Sequence, residues 1–312
     1  MVETTTRVRP GLPFRRLLLK TIAILYQGRK QGTTEVASQL VPLLQHQGYD
    51  VRSIDLRDEG EEPAISAGQG KPDPLLKDCD MVIVLGGDGT ILHAARLCAF
   101  ADVPILGVNF GRVGFLTELE PGELLAKLPY YLQRDASVWI DKRTMLHAVL
   151  NQDGHSEEFL AINDIVIARG TWPRVVQVRV WIDDNYYSTT YADGIILSTA
   201  TGSTAYNMSV GGPLLHPQVQ SSVLTPIAPQ LASDRSLILQ PDARVKLQIF
   251  TGSQNGVFSA DGQMNREIKD GALVTVHTSA YVTQFLRRRP PTYFYQIINA
   301  KLKSDADPSG TH

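Results

Sequence analysis

The stretch that most limits how this chain can fold runs from Met81 to Leu97. The apolar run Met81-Val82-Ile83-Val84-Leu85 passes directly into Gly86-Gly87-Asp88-Gly89-Thr90, and Ile91-Leu92-His93-Ala94-Ala95-Arg96-Leu97 follows with helical patterning. A β-branched apolar run, a glycine turn and an amphipathic helix make the strand-loop-helix unit of a parallel α/β domain. Glycines let the backbone turn tightly and bring bare N–H groups close to a ligand. The helix start adds unpaired donors and a partial positive charge, so Gly86, Gly87, Gly89 and Thr90 form a candidate phosphate loop. Asp88 is the informative residue. A carboxylate repels phosphate, so a loop that only held phosphate would gain nothing from it. It makes sense where an acid takes the proton of a hydroxyl attacking that phosphate, or helps hold a metal. The plainer reading is an Asp-Gly turn with Asp88 near a helix N-terminus. The spacing does not fit G-x-G-x-x-G, which argues against a plain dinucleotide fingerprint.

The 312 residues suffice for two domains around this unit. Residues 1–16 read as a mobile polar tail and 17–136 as an α/β domain with a parallel, Rossmann-like sheet. Leu17–Tyr26 is its first strand, and Gly28–Gly32 is a loop whose Arg29 and Lys30 read more simply as a solvated turn than as an anion contact. A helix over Thr33–Gln47 is capped by Thr33 or Thr34 and closed by Gly48, and Tyr49–Ile54 gives a second strand. Arg57–Asp78, rich in Gly, Pro and acid, reads as a long mobile loop. Pro104–Val108 is a further parallel strand, and Asn109–Leu116 follows at its C-terminal end, where open α/β sheets bind ligands. Phe115 there fits the core better than a base-covering role. Pro121–Leu132 is the last helix of the alternation. Short strand-like runs separated by Gly, Asn or Asp turns then predict an all-β sandwich over 137–280. Residues 281–300 return to the first domain, with Arg287-Arg288-Arg289 read as solvated surface, and 301–312 form a polar tail.

A net charge of −2 argues against a general polyanion binder, so no nucleic-acid partner is expected and any phosphate site must be local. Cys79 and Cys98 alone make no metal or disulfide framework and point to an intracellular, cytoplasmic protein. Leu17–Tyr26 is too short for a membrane span and carries Lys20, so no membrane partner is expected.

The β-rich half has its own focus, Asp193 through Ser209, where six hydroxyl residues surround Gly202 between an apolar strand and the Gly211-Gly212-Pro213 turn. Small hydroxyl residues let the backbone approach a planar ligand and offer donors and acceptors to a base or ribose. Tyr206 could stack on a base. A solvated Ser/Thr loop is the competing reading. Asn163-Asp164 pairs an amide with a carboxylate, suited to an adenine edge and ribose hydroxyls; an Asx turn is the alternative.

Taken together, Gly86–Thr90, Asn109–Leu116, Asn163-Asp164, Asp193–Gly212, Pro226-Ile227-Ala228-Pro229 and Ser259-Ala260-Asp261-Gly262 closely resemble the NAD kinases. The first motif alone is shared with diacylglycerol and sphingosine kinases, but the whole set in this order is specific. The resemblance implies phosphoryl transfer from ATP, or from polyphosphate, to the 2′-hydroxyl of the adenosine ribose of NAD. It implies Asp88 as the base, Gly89 against the nucleotide, and His93 as a dinucleotide contact. Asn163 and Asp164 would hold the adenosine half, Arg174 and Tyr191 would add contacts, and Asp193 would be a nicotinamide-side carboxylate. Thr204, Ala205, Tyr206, Asn207, Met208 and Ser209 would line the adenine. The family fold is an α/β domain followed by a β-sandwich, working as dimers or tetramers with some sites completed across subunits. A divalent cation, Mg or Mn, is expected to arrive on the nucleotide with Asp88 beside it, since no cluster here has the spacing of a protein metal cage. Asp164 stands where glutamate is common, Ala200 where proline is usual, and Gln230 where many members have histidine. A lipid kinase and a non-catalytic NAD-sensing module are the alternatives; the first gives no reason for Asn163-Asp164, the second none for Asp88.

Overall fold

Six-residue apolar runs with both faces buried can only be central strands of a sheet covered on two sides, and the computed structural model builds the N-terminal half this way. It describes residues 19–56, 74–111, 114–171, 174–231 and 234–306; the tail over 1–16, most of the loop read over Arg57–Asp78, Arg112, Val113 and the end of the C-terminal tail lie outside them. Strands β1 (Thr21–Tyr26), β2 (Asp50–Asp55), β3 (Met81–Gly86) and β4 (Ile105–Asn109) are parallel in the order β2-β1-β3-β4. Helices α1 (Thr33–His46), α2 (Asp88–Ala101) and α3 (Leu124–Leu132) cover them. Successive side chains leave a strand on opposite faces. Ile22, Ile24 and Ile83 accordingly pack with Leu40, Leu44 and Leu128, while Ala23, Leu25, Val82 and Val84 pack with Ile91 and Ala95.

Two local expectations shift. Pairing of β1 begins at Thr21, because the N–H groups of Lys20 and Thr21 are engaged by Asp80 Oδ2 at 2.7 and 2.9 Å. Neither threonine caps α1. Gly32 takes the N-cap at φ +82°, and the Thr33 hydroxyl turns back to the carbonyls of Gln27 and Lys30 at 2.8 and 2.9 Å.

The second half is a β-sandwich. Its strands are β5 (Trp139–Gln152), β6 (His155–Ala161), β7 (Asp164–Arg169), β8 (Val176–Ile182), β9 (Asn185–Ala192), β10 (Gly194–Ser198), β11 (Val223–Ile227), β12 (Leu237–Ile238), β13 (Val245–Phe250), β14 (Gly256–Ala260), β15 (Met264–Ile268) and β16 (Leu273–Arg287). One sheet runs β12-β11-β10-β7-β14-β15. The facing strands β5, β6, β8, β9, β13 and β16 are not a separate sheet. Strand β16 pairs with β5 along its whole length, shifts register between Thr278 and Val282, and then meets β4 through Phe285 and Ile105, so ten strands form one sheet across both halves. Inward residues of both layers, among them Leu146, Phe159, Ile165, Val178, Leu197, Leu247 and Phe258, fill the space between them.

After β16, the helix α5 (Tyr293–Ala306) follows. The arginines before it are not solvated surface as expected. Arg287 is buried and reaches the Thr117 carbonyl, Glu118 and Asp141 at 2.9, 3.4 and 3.5 Å. Arg288 lies over the Tyr130 ring at 3.7 Å, and Arg289 over Tyr293 at 4.5 Å. Arg287 and Arg288 hold the return segment to partners far away in sequence, Glu118, Asp141 and Tyr130, and Arg289 adds Glu123 at 3.7 Å. Among the described residues, no helix is long and apolar enough to cross a membrane.

Candidate active site

Helix α2 starts without a side-chain cap, with extended Gly87 at its N-cap, so its first N–H groups are open to a ligand. The turn is tight because Gly86 rests on Thr90: a β-carbon at Gly86 would fall 2.3 Å from Thr90 Oγ1. Asp88 is the first residue of the helix. Its carboxylate accepts N–H bonds from Phe115 to Oδ2 at 2.9 Å and from Leu116 to Oδ1 at 3.1 Å. The loop after β4 therefore orients the acid, and Gly114 permits the approach. A β-carbon there would lie 2.2 Å from Asp88 Oδ1. Gly89 is exposed; His93, half-buried, follows it on the stripe that continues to Arg96.

The ends of three neighbouring strands of the six-stranded sheet meet this helix. Asp164 pairs with Ser198, and Ile165 with Ala260, so Asn163, Asp164, Thr199 and Asp261 gather at one edge. Asp261 organises them. Its buried carboxylate accepts the N–H groups of Ile162, Asn163 and Asp164 at 3.0, 2.7 and 3.2 Å. It also pairs with Arg96 of α2 at 3.2 Å. The other arm of Arg96 donates to Gln263 Oε1 at 2.6 Å, and Gln263 Nε2 donates to the Gly89 carbonyl at 2.8 Å. The acid loop of one half and the Asn163-Asp164 turn of the other are thus joined by a single hydrogen-bonded network, buried at Arg96 and Asp261 and exposed at Gln263. Sequence reading missed Arg96 and Gln263 because each looks like an ordinary helix or turn residue until the two halves meet.

Asn163, Asp164, Ala205, Tyr206, Ser259, Asp261 and Gly262 line a cavity of about 350 Å³. Asp164 is only 4% exposed. Burial, and then the nearby Asp261 carboxylate, push its pKa up to about 7. Burial also raises Asp261, against the pull of Arg96 and the three N–H groups.

The hydroxyl-rich loop mostly faces inward, contrary to its sequence reading as a donor surface. Thr199 Oγ1 donates to the Ile162 carbonyl at 2.6 Å, Ser198 Oγ to the carbonyls of Thr199 and Asn163, Ser203 Oγ to Ala200, and Thr204 Oγ1 to Thr201. The bonds from Thr199 and Ser198 clamp the Asn163 turn, those from Ser203 and Thr204 close turns within their own loop, and Gly202 packs so close that its β-carbon would sit 2.0 Å from the Asn163 carbonyl oxygen. Asn207 in the short helix α4 (Tyr206–Ser209) is fully buried, tying Ser203, Pro213 and Thr225 together. Met208 and Ser209 lie on the same helix but off the cavity lining. Thr204 and Phe115 line a second, smaller cavity under Pro290–Phe294 instead.

Three candidates stand apart within one chain. Asp193 precedes Gly194, which pairs with Ala168 at the opposite end of β7 and β10 from the Ser198–Asp164 pair. Five strand steps, Asp193 to Ser198, place it about 17 Å from Asp164. Asp193 pairs with Arg169 at 2.9 Å, Tyr191 is exposed on β9, and Arg174 is exposed just before β8. Lys30, read as a solvated turn, is half-buried, with its ammonium 2.8 Å from where a Gly87 β-carbon would lie.

Two family models match: the ATP-NAD kinase N-terminal domain over residues 73–136 and the ATP-NAD kinase C-terminal domain over residues 162–288. The NAD kinase of Chloroflexus aggregans is 35% identical over 290 residues, 92% of this chain and 99% of the relative. That of Dehalococcoides mccartyi is 36% identical over 291 residues, 92% of this chain and 98% of the relative. Among solved structures, yeast NADH kinase complexed with NADH superposes with a TM-score of 0.79 at 25% identity, covering 95% of this chain and 90% of that one. An NAD kinase from Archaeoglobus fulgidus in complex with ATP gives a TM-score of 0.69 at 21% identity, covering 89% and 97%, and speaks to the fold alone.

Proposed function

This chain belongs to the NAD kinase family, and from that premise we propose how its residues carry the phosphorylation of NAD. The substrates are NAD and ATP. In our reading the open N–H groups at the start of α2 hold donor phosphate. Asp88 takes the proton of the 2′-hydroxyl on the adenosine ribose as that oxygen forms a bond to the terminal phosphorus of ATP. The bond from that phosphorus to the bridging oxygen breaks, and ADP carries off the electron pair. Asn163, Asp164, Ala205 and Tyr206 bind the dinucleotide in the larger cavity, with His93 and Gly89 on the facing helix.

The observation that carries the reading is Asp88, oriented by two backbone N–H groups inside a glycine loop and tied through Gly89, Gln263 and Arg96 to the Asn163-Asp164 turn. A protein that only sensed NAD would have no use for that acid.

The residues fit a cation carried in by the donor better than a resident one. Among the described residues no group of three His, Cys, Asp or Glu side chains could hold a metal, whereas Asp88 offers a partly exposed carboxylate at the phosphate loop. A nucleotide-borne Mg or Mn would neutralise charge developing on the transferred group. Arg174, Tyr191 and Asp193, distant from the cavity in one chain, serve in this reading the site of a second copy in a homo-oligomer.

Incubation with ATP, magnesium and NAD should yield NADP, and excess chelator should abolish it. Asp88→Asn should keep the fold and NAD binding yet lose about 10²- to 10⁴-fold in turnover. Turnover near that of the parent protein would remove Asp88 from the mechanism.

A further inference from the structure

The strand order β2-β1-β3-β4 reverses direction between β1 and β3. In an open parallel sheet, the carboxyl ends of two such strands frame the crevice where ligands dock. The glycine loop follows β3, and the turn containing Lys30 follows β1. That turn is tightly held: Lys30 N–H donates to the Gln27 carbonyl at 2.8 Å, while the Lys30 carbonyl accepts from Thr33 N–H at 3.3 Å and from its hydroxyl at 2.9 Å. The side chain lies over the crevice. Its Nζ is 2.8 Å from the position of a β-carbon on Gly87 and 3.6 Å from that on Gly111. Among the described residues the ammonium has no carboxylate, carbonyl or other acceptor partner. A half-buried cation set against the positive end of α2 is an unfavourable arrangement when empty. It becomes favourable when a compact, multiply charged anion lies between them, and a phosphoryl group has that charge and size.

We propose that Lys30 is a catalytic residue of the transfer, its ammonium touching an oxygen of the phosphoryl group that leaves ATP. This assignment rests on the NAD kinase reading above. Lys30 keeps its proton throughout. The new bond joins the ribose oxygen to phosphorus, the bond to the bridging oxygen breaks with its electron pair going to ADP, and the hydroxyl proton goes to Asp88. The ammonium meets charge as it builds on the equatorial oxygens, a contact for which Lys serves as a point charge.

The test uses the full chain with Lys30→Gln and Lys30→Arg. Lys30→Gln should lower kcat about 10²-fold and raise KM for ATP. Calorimetric affinity for NAD should stay within about twofold, and the melting temperature of the ligand-free protein should be unchanged or raised, because an unfavourable charge is removed and no protein partner is lost. Lys30→Arg should recover part of the loss. Unchanged kcat and unchanged KM for ATP in Lys30→Gln overturn the proposal. So does a loss that appears in NAD affinity, which would place the ammonium on the acceptor, or in the melting temperature, which would make it structural. The parent protein run in parallel separates the two claims: no NADP from it refutes the kinase reading, whereas normal NADP with an indifferent Lys30→Gln refutes Lys30 alone.

Discussion

Gly114→Ala perturbs the position of Asp88 without touching its chemistry. The added β-carbon would lie 2.2 Å from Asp88 Oδ1, 2.9 Å from Cγ and 3.1 Å from Oδ2. Ordinary contact between such atoms begins near 3.4 Å, so the carboxylate or the loop must move by about 1 Å. The carboxylate cannot swing aside freely, because the N–H groups of Phe115 and Leu116 hold it at 2.9 and 3.1 Å. Hydrogen bonds to a charged group are worth about 1.5–3 kcal/mol each, so the strain is shared between a weakened clamp and a displaced acid. A misplacement of about 1 Å in a catalytic group costs on the order of 10²-fold, or about 3 kcal/mol in the barrier. Steady-state production of NADP should therefore show kcat reduced about 10²-fold. KM for NAD should change little, since Asn163 and Asp164 stand on the other half of the molecule. Circular dichroism should report a folded protein with a modestly lowered melting temperature. A folded variant with kcat within about twofold of the parent would refute the argument that this clamp sets the acid's position.

Asp164→Asn should stabilise the protein at alkaline pH and not in acid. The folded pKa, about 7, lies above the unfolded value of about 3.9. The folded state therefore binds the extra proton between those values, and stability falls as pH rises from about 4 to about 7. Removing the charge should restore a few kcal/mol at pH 8 and nothing near pH 4; a melting-temperature difference that ignores pH would count against the cause given. The parent's NAD affinity should vary with pH around neutrality as Asp164 titrates, and Asp164→Asn should lose that dependence. Arg96→Met should cost about 3–5 kcal/mol by leaving Asp261 buried without its counter-charge. Adding Asp261→Asn to it should recover part of that loss in urea melts, and strict additivity of the two changes would show that the pair is not coupled.

The Met81–Leu97 unit was legible in the sequence because everything that makes it lies within seventeen consecutive positions: β-branched residues, glycines and a helical stripe act on their immediate neighbours. The change to a sandwich after residue 137 was legible for the same reason, since alternation and turn residues are local signals. The roles read from the chemistry of Asp88, Asn163 and Asp164 agree with those the family resemblance implies, and the fold links these residues through one network. Other features needed the folded chain. Arg96 and Asp261 are 165 positions apart, and Arg287 and Glu118 are 169 apart. Read alone, each is a charged residue that belongs in water. The hydroxyls of Ser198 and Thr199 looked available to a ligand until the Asn163 turn arrived to claim them. Lys30 looked solvated until β1 and β3 came side by side and set it over Gly87. Local patterns fix where a strand, turn or helix begins, because backbone preference and periodicity act over a few residues. Which charges are buried, and against what, is decided only when distant segments pack, because a charge is stable out of water only beside a partner that the chain must fold to deliver.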